Sequence, residues 1–461
     1  MKKLVALILA AIMVMCWLPS LAEDVDNPYA EYGVEILKDA NGNKIDLGGM
    51  EIIVCEHWTH DWHDDEPATA SAEATYEWRE WLEKTYNFKI ITRADTTWSS
   101  CPDDFNNIAT TDDPHNYVWA MRFETISAPM NSGLFYDLAT LDCLDFTDSK
   151  WNASIKTMTT KGSSIYGMRA ADAEPRGGVY FNKRLLKEAG IEPDSLYDMQ
   201  KDGTWTWEAF EEVLKKLTQD TDGDGIVDKY AMMSFSPRLL LPAIYSNNAN
   251  FFGLDENGNF VVTAGDENFL EAANWIMDMV SKYEMKAPEG ANWDYFDAAF
   301  FNGETAIKVA EEYEAGQGLA EMVDDFGFVM FPKGPKAETY VHAPTDNVYV
   351  IPANYDAERA WKVAFAYNLF TSKTPGYDDP DAWKTAYYPV FRDERAVDET
   401  LAMMLEDEHQ VPALCSLVSG FDSGNQFCWD VYGFAKTPAE KVEESMPTWQ
   451  GLVDDMNNAG K

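Results

Sequence analysis

Residues 177–193 read GGVYFNKRLLKEAGIEP, and residues 204–232 read TWTWEAFEEVLKKLTQDTDGDGIVDKYAM. Within the first run, Gly178–Phe181 is a short apolar strand pattern, followed by a short helix from Lys183 to Ala189 that Gly190 stops. In the second run, residues 207–217 repeat apolar residues at helical spacing. Thr206 stands at the N-cap position and Glu208 in the first turn. A strand leading into helices is the grammar of an α/β domain.

The same alternation appears on both sides. Residues 50–55 (MEIIVC) and 88–92 (FKIIT) read as strands. Between them Ala74, Trp78, Trp81, Leu82 and Tyr86 share one helical face. Strands are also expected at 117–121, 326–332 and 348–352. Helices are expected at 267–283, at 356–370 and near the C-terminus, where Trp449, Leu452, Val453 and Met456 form one apolar face. The sequence has no repeat of fixed period and no low-complexity linker. With 461 residues the chain exceeds a single core, so two parts are expected, joined by crossing strands and separated by a cleft.

The formal charge is −43, from 79 acidic and 36 basic residues. Such a field repels nucleic acid and anionic membranes and favours solubility. The N-terminus carries Lys2-Lys3, an apolar run from Leu4 to Met15, and Ser20-Leu21-Ala22. That is the pattern of a signal peptide, here cleaved after Ala22. A lipid anchor on Cys16 is the less favoured alternative, because Met15 precedes it where a small residue belongs. Five cysteines follow. Cys415 and Cys428 either pair or are buried as small apolar residues.

Sequence motifs for catalysis are lacking: there is no GxSxG, HExxH, phosphate loop or dinucleotide fingerprint. Three other features carry chemistry. Asp220, Asp222, Asp224 and Asp228 fit the first, third, fifth and ninth positions of a calcium loop. Gly225 stands at the turn, and Ile226 is placed to offer its carbonyl. The twelfth position is Ala231 instead of a glutamate, so a structural calcium and a metal-free Asp-Gly turn are both open. The run EHWTHDWHDDE (56–66) holds His57, His60 and His63, three of six histidines. It reads as a ligand loop at the carboxyl end of a strand, with Trp58 and Trp62 as stacking rings, or as a transition-metal site. Finally, many of the 16 tryptophans fall in loops, including Trp98, Trp293 and Trp429. Flat rings beside Asp, Asn, Glu and Arg suit a sugar.

The two quoted runs, with FNGETAIKVAEEYEAGQGL (301–319), GFVMFPKGPKA (327–337) and PAEKVEESMPTWQGLVDDMNN (438–458), resemble the family 1 extracellular solute-binding proteins. These are receptors of carbohydrate ABC importers, similar in fold to maltose-binding protein. The resemblance spans most of the chain from Met50 and implies a two-lobed, type II periplasmic-binding-protein-like α/β fold. Each lobe would be a mostly parallel sheet flanked by helices. It implies lobes at 50–168 plus 345–380 and at 169–344 plus 381–461, after a leader (1–22) and an extension (23–49). Crossings are expected near Gly167–Asp172 and Val341–Asn347. The implied ligand residues are Trp58, His60, Trp62, Trp98, Trp119, Arg122, Tyr180, Arg238, Tyr245, Asn247, Glu312, Tyr313, Asp346 and Trp429. A monomer is expected that requires no cofactor, performs no chemistry, and delivers a sugar to membrane permease subunits. The alternatives are a secreted glycoside hydrolase, a metal receptor built on the histidine loop, and a calcium-dependent adhesion protein.

Overall fold

Strand β1 (Met50–Cys55) lies between β2 (Phe88–Arg93) and β3 (Asn116–Met121), parallel to both. The computed structural model describes residues 27–67, 69–170, 175–256, 258–344, 347–377 and 381–458. The apolar run of β1 serves both faces of its sheet. Ile52 and Val54 join one core with Trp78, Leu82 and Val363, while Ile53 and Cys55 join another with Phe105 and Tyr117. Helix α1 (Ala70–Tyr86) covers the first face; Thr69 accepts a hydrogen bond from the Ala72 N–H at its start, and Asn87 closes it in a left-handed conformation. The segment before β1 is laid along α1. Tyr29 meets Trp78 and Trp81 edge-on, and the Leu37 N–H donates to the Tyr86 hydroxyl.

A fourth strand completes this sheet from far along the chain. Val348–Val350 pairs antiparallel with β3, and Met168 and Tyr349 exchange both backbone hydrogen bonds at 2.9 Å. The segment leaving the first lobe and the segment returning to it are therefore hydrogen-bonded to each other.

The second sheet departs from the expected parallel arrangement. Gly178–Asn182 is its central strand, flanked by Ile307–Ala310 and Phe326–Met330, both antiparallel to it. The central strand comes first in the chain, and its neighbours come from later segments running the other way. The Phe181 ring lies over Gly327, where an added Cβ would stand 2.1 Å from the ring. Glycine in mid-strand thus permits close packing. The helix Trp207–Leu217 has the expected limits and the Thr206 cap. Trp207 stacks on Trp275 at 4.1 Å, tying it to the helix Glu267–Tyr283.

The large core of this lobe collects residues between Val179 and Tyr340 and between Phe391 and Val453. Ala413 and Leu417 lie in the stretch assigned to the second lobe, yet they pack into the first lobe's core beside Val348 and Val350. Cys415 and Cys428 are both buried free thiols, so of the two alternatives it is burial that holds. Among the described residues no helix is long and apolar enough to cross a membrane.

A cleft between the lobes as the candidate functional site

A cavity of about 560 Å³ opens where the lobes meet. That is within the usual range for a small-molecule site. Its walls come from elements that end there. Trp98 follows the carboxyl end of β2, and Arg122 and Glu124 follow that of β3. Arg176 and Gly177 precede the second lobe's central strand, and Glu311 follows the strand Ile307–Ala310. Phe235, Arg238 and Tyr245 come from the start, first turn and end of the helix Ser236–Tyr245. Cys415, Phe421 and Asp422 close one side, and His342 lies on the returning crossing. Open α/β sheets place ligands at strand carboxyl ends, and here both lobes contribute.

The charged groups are held by their neighbours. The Arg122 guanidinium lies 3.9 Å from the centre of the Trp98 ring and donates to Glu124 at 2.8 Å. Its Nε is buried without a hydrogen-bond partner among the described residues. Burial, with the Arg122 charge adding to it, lowers the pKa of His57. On the opposite wall, Arg238 donates to the Tyr313 hydroxyl at 2.6 Å and pairs with Glu314, which also holds the buried Lys308. Burial disfavours the Arg238 charge, but Glu311, Tyr313 and Glu314 outweigh it and raise its pKa. Arg176 stands 3.8 Å from Glu311 and 4.0 Å from Glu312. His342 donates from Nε2 to the Met404 carbonyl, and burial lowers its pKa to about 4, so it is neutral at physiological pH. Fixed donors and acceptors beside the rings of Trp98, Phe235 and Tyr245 can orient a polar ring with many hydroxyls.

Of the sequence-derived candidates, Trp98, Arg122, Arg238 and Tyr245 line this cavity. Tyr313 stands behind it as the partner of Arg238, and Glu312 is buried beside Arg176. Others lie elsewhere. Trp119 is fully buried, donating to the Cys101 sulfur and packed on Tyr117 and Phe105. It is core because β3 is interior to its sheet. Tyr180 is likewise buried in the central strand of the second lobe, its hydroxyl donating to the Glu311 and Glu312 carbonyls. Asn247 is buried and bonded to the Asn268 carbonyl, Glu271 and the Lys336 N–H. Trp62 is core, donating to the Ile90 carbonyl. Trp58 and His60 are exposed and outside the lining. Trp429 sits just beyond the rim against Phe235. Asp346 falls outside the described residues. Sequence reasoning missed Phe235, Arg176, Glu311, His342 and Asp422. Arg176 and His342 had a signal, since each is charged or titratable and borders an expected crossing.

The histidine loop does not gather into a metal site. His60 bonds Asp65 at 2.6 Å, and His63 bonds Asp61 at 2.7 Å and Glu83 at 3.2 Å. No set of metal-ligating groups among the described residues includes them. In the acidic loop, oxygens of Asp220, Asp222 and Asp224 lie within 4.8 Å of one another. Asp220 accepts from the Gly223 and Gly225 N–H groups, and Asp228 from Thr221. Ala231 is buried and its carbonyl accepts from Ala306 and Ile307, so the twelfth position supplies no carboxylate.

Two α/β lobes, paired crossing segments and a mixed aromatic and charged cleft between them define a binding protein of the two-lobed solute-binding fold. The family model for bacterial extracellular solute-binding proteins matches residues 141–370, and the chain belongs to that family. No curated protein sequence matches it. Among solved structures it is similar to the cyclic α-maltosyl-1,6-maltose binding protein from Arthrobacter globiformis. The TM-score is 0.62 at 13% identity, over 88% of this chain and 100% of that one. MalX from Streptococcus pneumoniae, solved with maltopentaose, gives 0.57 at 14% identity over 88% and 99%. UgpB from Mycobacterium tuberculosis, solved with glycerophosphocholine, gives 0.57 at 16% over 88% and 98%. At these identities the likeness establishes the fold. The family and these neighbours are binding proteins.

Proposed function

We propose that this protein is an exported receptor that captures a carbohydrate in the cleft and delivers it to the permease subunits of an ABC importer. The observation that carries the reading is the cleft itself: about 560 Å³, with flat rings and fixed charged groups drawn from both lobes. Neighbours of this fold solved with maltopentaose or named for a maltose-type sugar support a saccharide. Trp98 and Arg122 approach the solute from one lobe, and Phe235, Arg238 and Glu311 from the other. A solute touching both sets gains most of its contacts in the closed form, so its differential affinity drives closure. The closed form is what a permease then recognises. The leader ending at Ala22 carries the chain out of the cell.

The test is a thermal-shift screen of saccharides, alongside glycerophosphodiesters and amino acids, followed by small-angle scattering on the hit. A saccharide is expected to raise the melting temperature and reduce the radius of gyration. A shift only with another solute class, or hydrolysis of the saccharide during incubation, would sink the proposal.

A further inference from the structure

Glu406, Glu408 and His409 converge at a place that neither the cleft nor the acidic loop uses. Each offers an atom within 4.8 Å of the others. Local geometry brings two of them together: Glu406 and His409 bracket the 3-10 turn Asp407–His409, in which residues three apart eclipse. Glu408 precedes the histidine, and its carboxylate turns to the same ring nitrogen. His409 Nε2 stands 3.7 Å from Glu406 Oε2 and 3.7 Å from Glu408 Oε1.

The histidine sets this cluster apart from an ordinary acidic surface. Its side chain is only 8% exposed, against 61% for Glu406 and 74% for Glu408. Its other ring nitrogen, Nδ1, lies 2.8 Å from the Tyr340 carbonyl oxygen. A carbonyl only accepts, so Nδ1 carries a hydrogen and the lone pair of the neutral ring is on Nε2. The Thr339 hydroxyl, 3.0 Å from Nδ1, can turn its hydrogen away. Among the described residues Nε2 has no hydrogen-bond partner, since 3.7 Å is too long for such a bond to either carboxylate.

A buried lone pair and two carboxylates thus face one point, which is unfavourable unless they share a cation. The spacing fits a metal ion. Ligand atoms about 2.0–2.2 Å from a tetrahedral zinc stand roughly 3.3–3.6 Å from one another. A bond from the far ring nitrogen to a backbone carbonyl is also how ligating histidines are commonly oriented. Imidazole with carboxylates suits zinc, whereas calcium and magnesium take oxygen ligands.

We propose that Glu406, Glu408 and His409 bind a zinc ion, with water completing its coordination, and that the ion braces the turn behind the cleft. That turn is tied to the returning crossing through the backbone. The His342 N–H donates to the His409 carbonyl and the Val411 N–H to the His342 carbonyl, each at 2.9 Å. His342 lines the cleft, so the ion stiffens one cleft wall from outside. None of this rests on what the solute is.

The experiment is calorimetric titration of chelator-treated protein with zinc chloride, with the visible absorption of bound cobalt(II) reporting tetrahedral coordination. The wild type is expected to bind one zinc with a Kd of about 10 µM or tighter, and to melt at a higher temperature with it. Glu406→Gln combined with Glu408→Gln keeps the side-chain shapes and removes both charges from groups that are mostly in water. This double variant is expected to bind zinc about tenfold more weakly or worse, with a metal-free melting temperature no lower than wild type. Asp220→Ala in the acidic loop and His63→Ala in the histidine loop are expected to bind zinc as the wild type does. A wild type that binds no zinc, or a double variant with wild-type affinity, overturns the site. Loss of the zinc in either single variant places the ion there and overturns the assignment as well.

Discussion

Replacing Trp98 with alanine separates a cleft aromatic from a core one. Trp98 is 61% exposed, and one face of its ring is covered by Arg122 at 3.9 Å. A fully buried tryptophan hides roughly 150–250 Å². A ligand lying on the free face would therefore remove about 60–100 Å² of ring from water. At about 25 cal/mol per Å² this amounts to roughly 1.5–2.5 kcal/mol, a ten- to seventyfold loss of affinity. The substitution also releases the Arg122 guanidinium, so the measured loss should lie toward the upper end. Stability should hardly change, because the ring is mostly in water. Trp119→Ala should do the opposite. That ring is fully buried, so truncation should cost about 3–5 kcal/mol of stability, with little change in affinity for the fraction that stays folded. Calorimetry with the best saccharide from the screen, paired with urea unfolding, measures both. If Trp98→Ala binds like wild type, or Trp119→Ala weakens binding without loss of stability, the assignment of these two rings is wrong.

Two further measurements follow from buried or incomplete polar groups. Glu284 accepts from the Ser234 N–H and the Tyr432 hydroxyl, its Oε2 is buried without a hydrogen-bond partner, and burial raises its pKa to about 7. Between about 4.5 and 7 the unfolded chain releases this proton while the folded chain keeps it, so stability from this group is lost as pH rises. Glu284→Gln should thus gain on the order of 2–3 kcal/mol over wild type at pH 8 and nothing near pH 4. An equal difference at both pH values in urea unfolding would refute this. For the acidic loop, a site lacking the twelfth carboxylate should bind calcium no tighter than about 1 mM, giving at most ~1.4 kcal/mol of stabilisation at 10 mM. Micromolar affinity abolished by Asp220→Ala would show that Ala231 does not limit the site.

The local elements follow from the sequence for simple reasons. Four consecutive apolar residues at 52–55 need burial on both sides, which makes β1 interior. Residues 207–217 and 267–283 repeat apolar side chains at 3.6 residues, the first with Thr206 as a cap before it, and both helices have those limits. Trp98 and Arg122 could be found because each follows a strand's carboxyl end, where such sheets leave room.

What the chain pattern does not carry is which side of a buried strand meets a cavity. Trp119 and Tyr180 sit in strands apolar on both faces, so nothing local distinguishes a core ring from a cleft ring, and only packing against Phe105 and Phe328 decides. The direction of the second sheet is set by which later segments pair with Gly178–Asn182, and both run antiparallel to it. Phe235, Trp293 and Trp429 are nearly two hundred residues apart end to end, yet their rings touch. Hydrophobic periodicity reports each segment's own geometry. The cleft is the space left when two lobes from interleaved segments pack together, so which of the candidate residues line it is decided by tertiary structure.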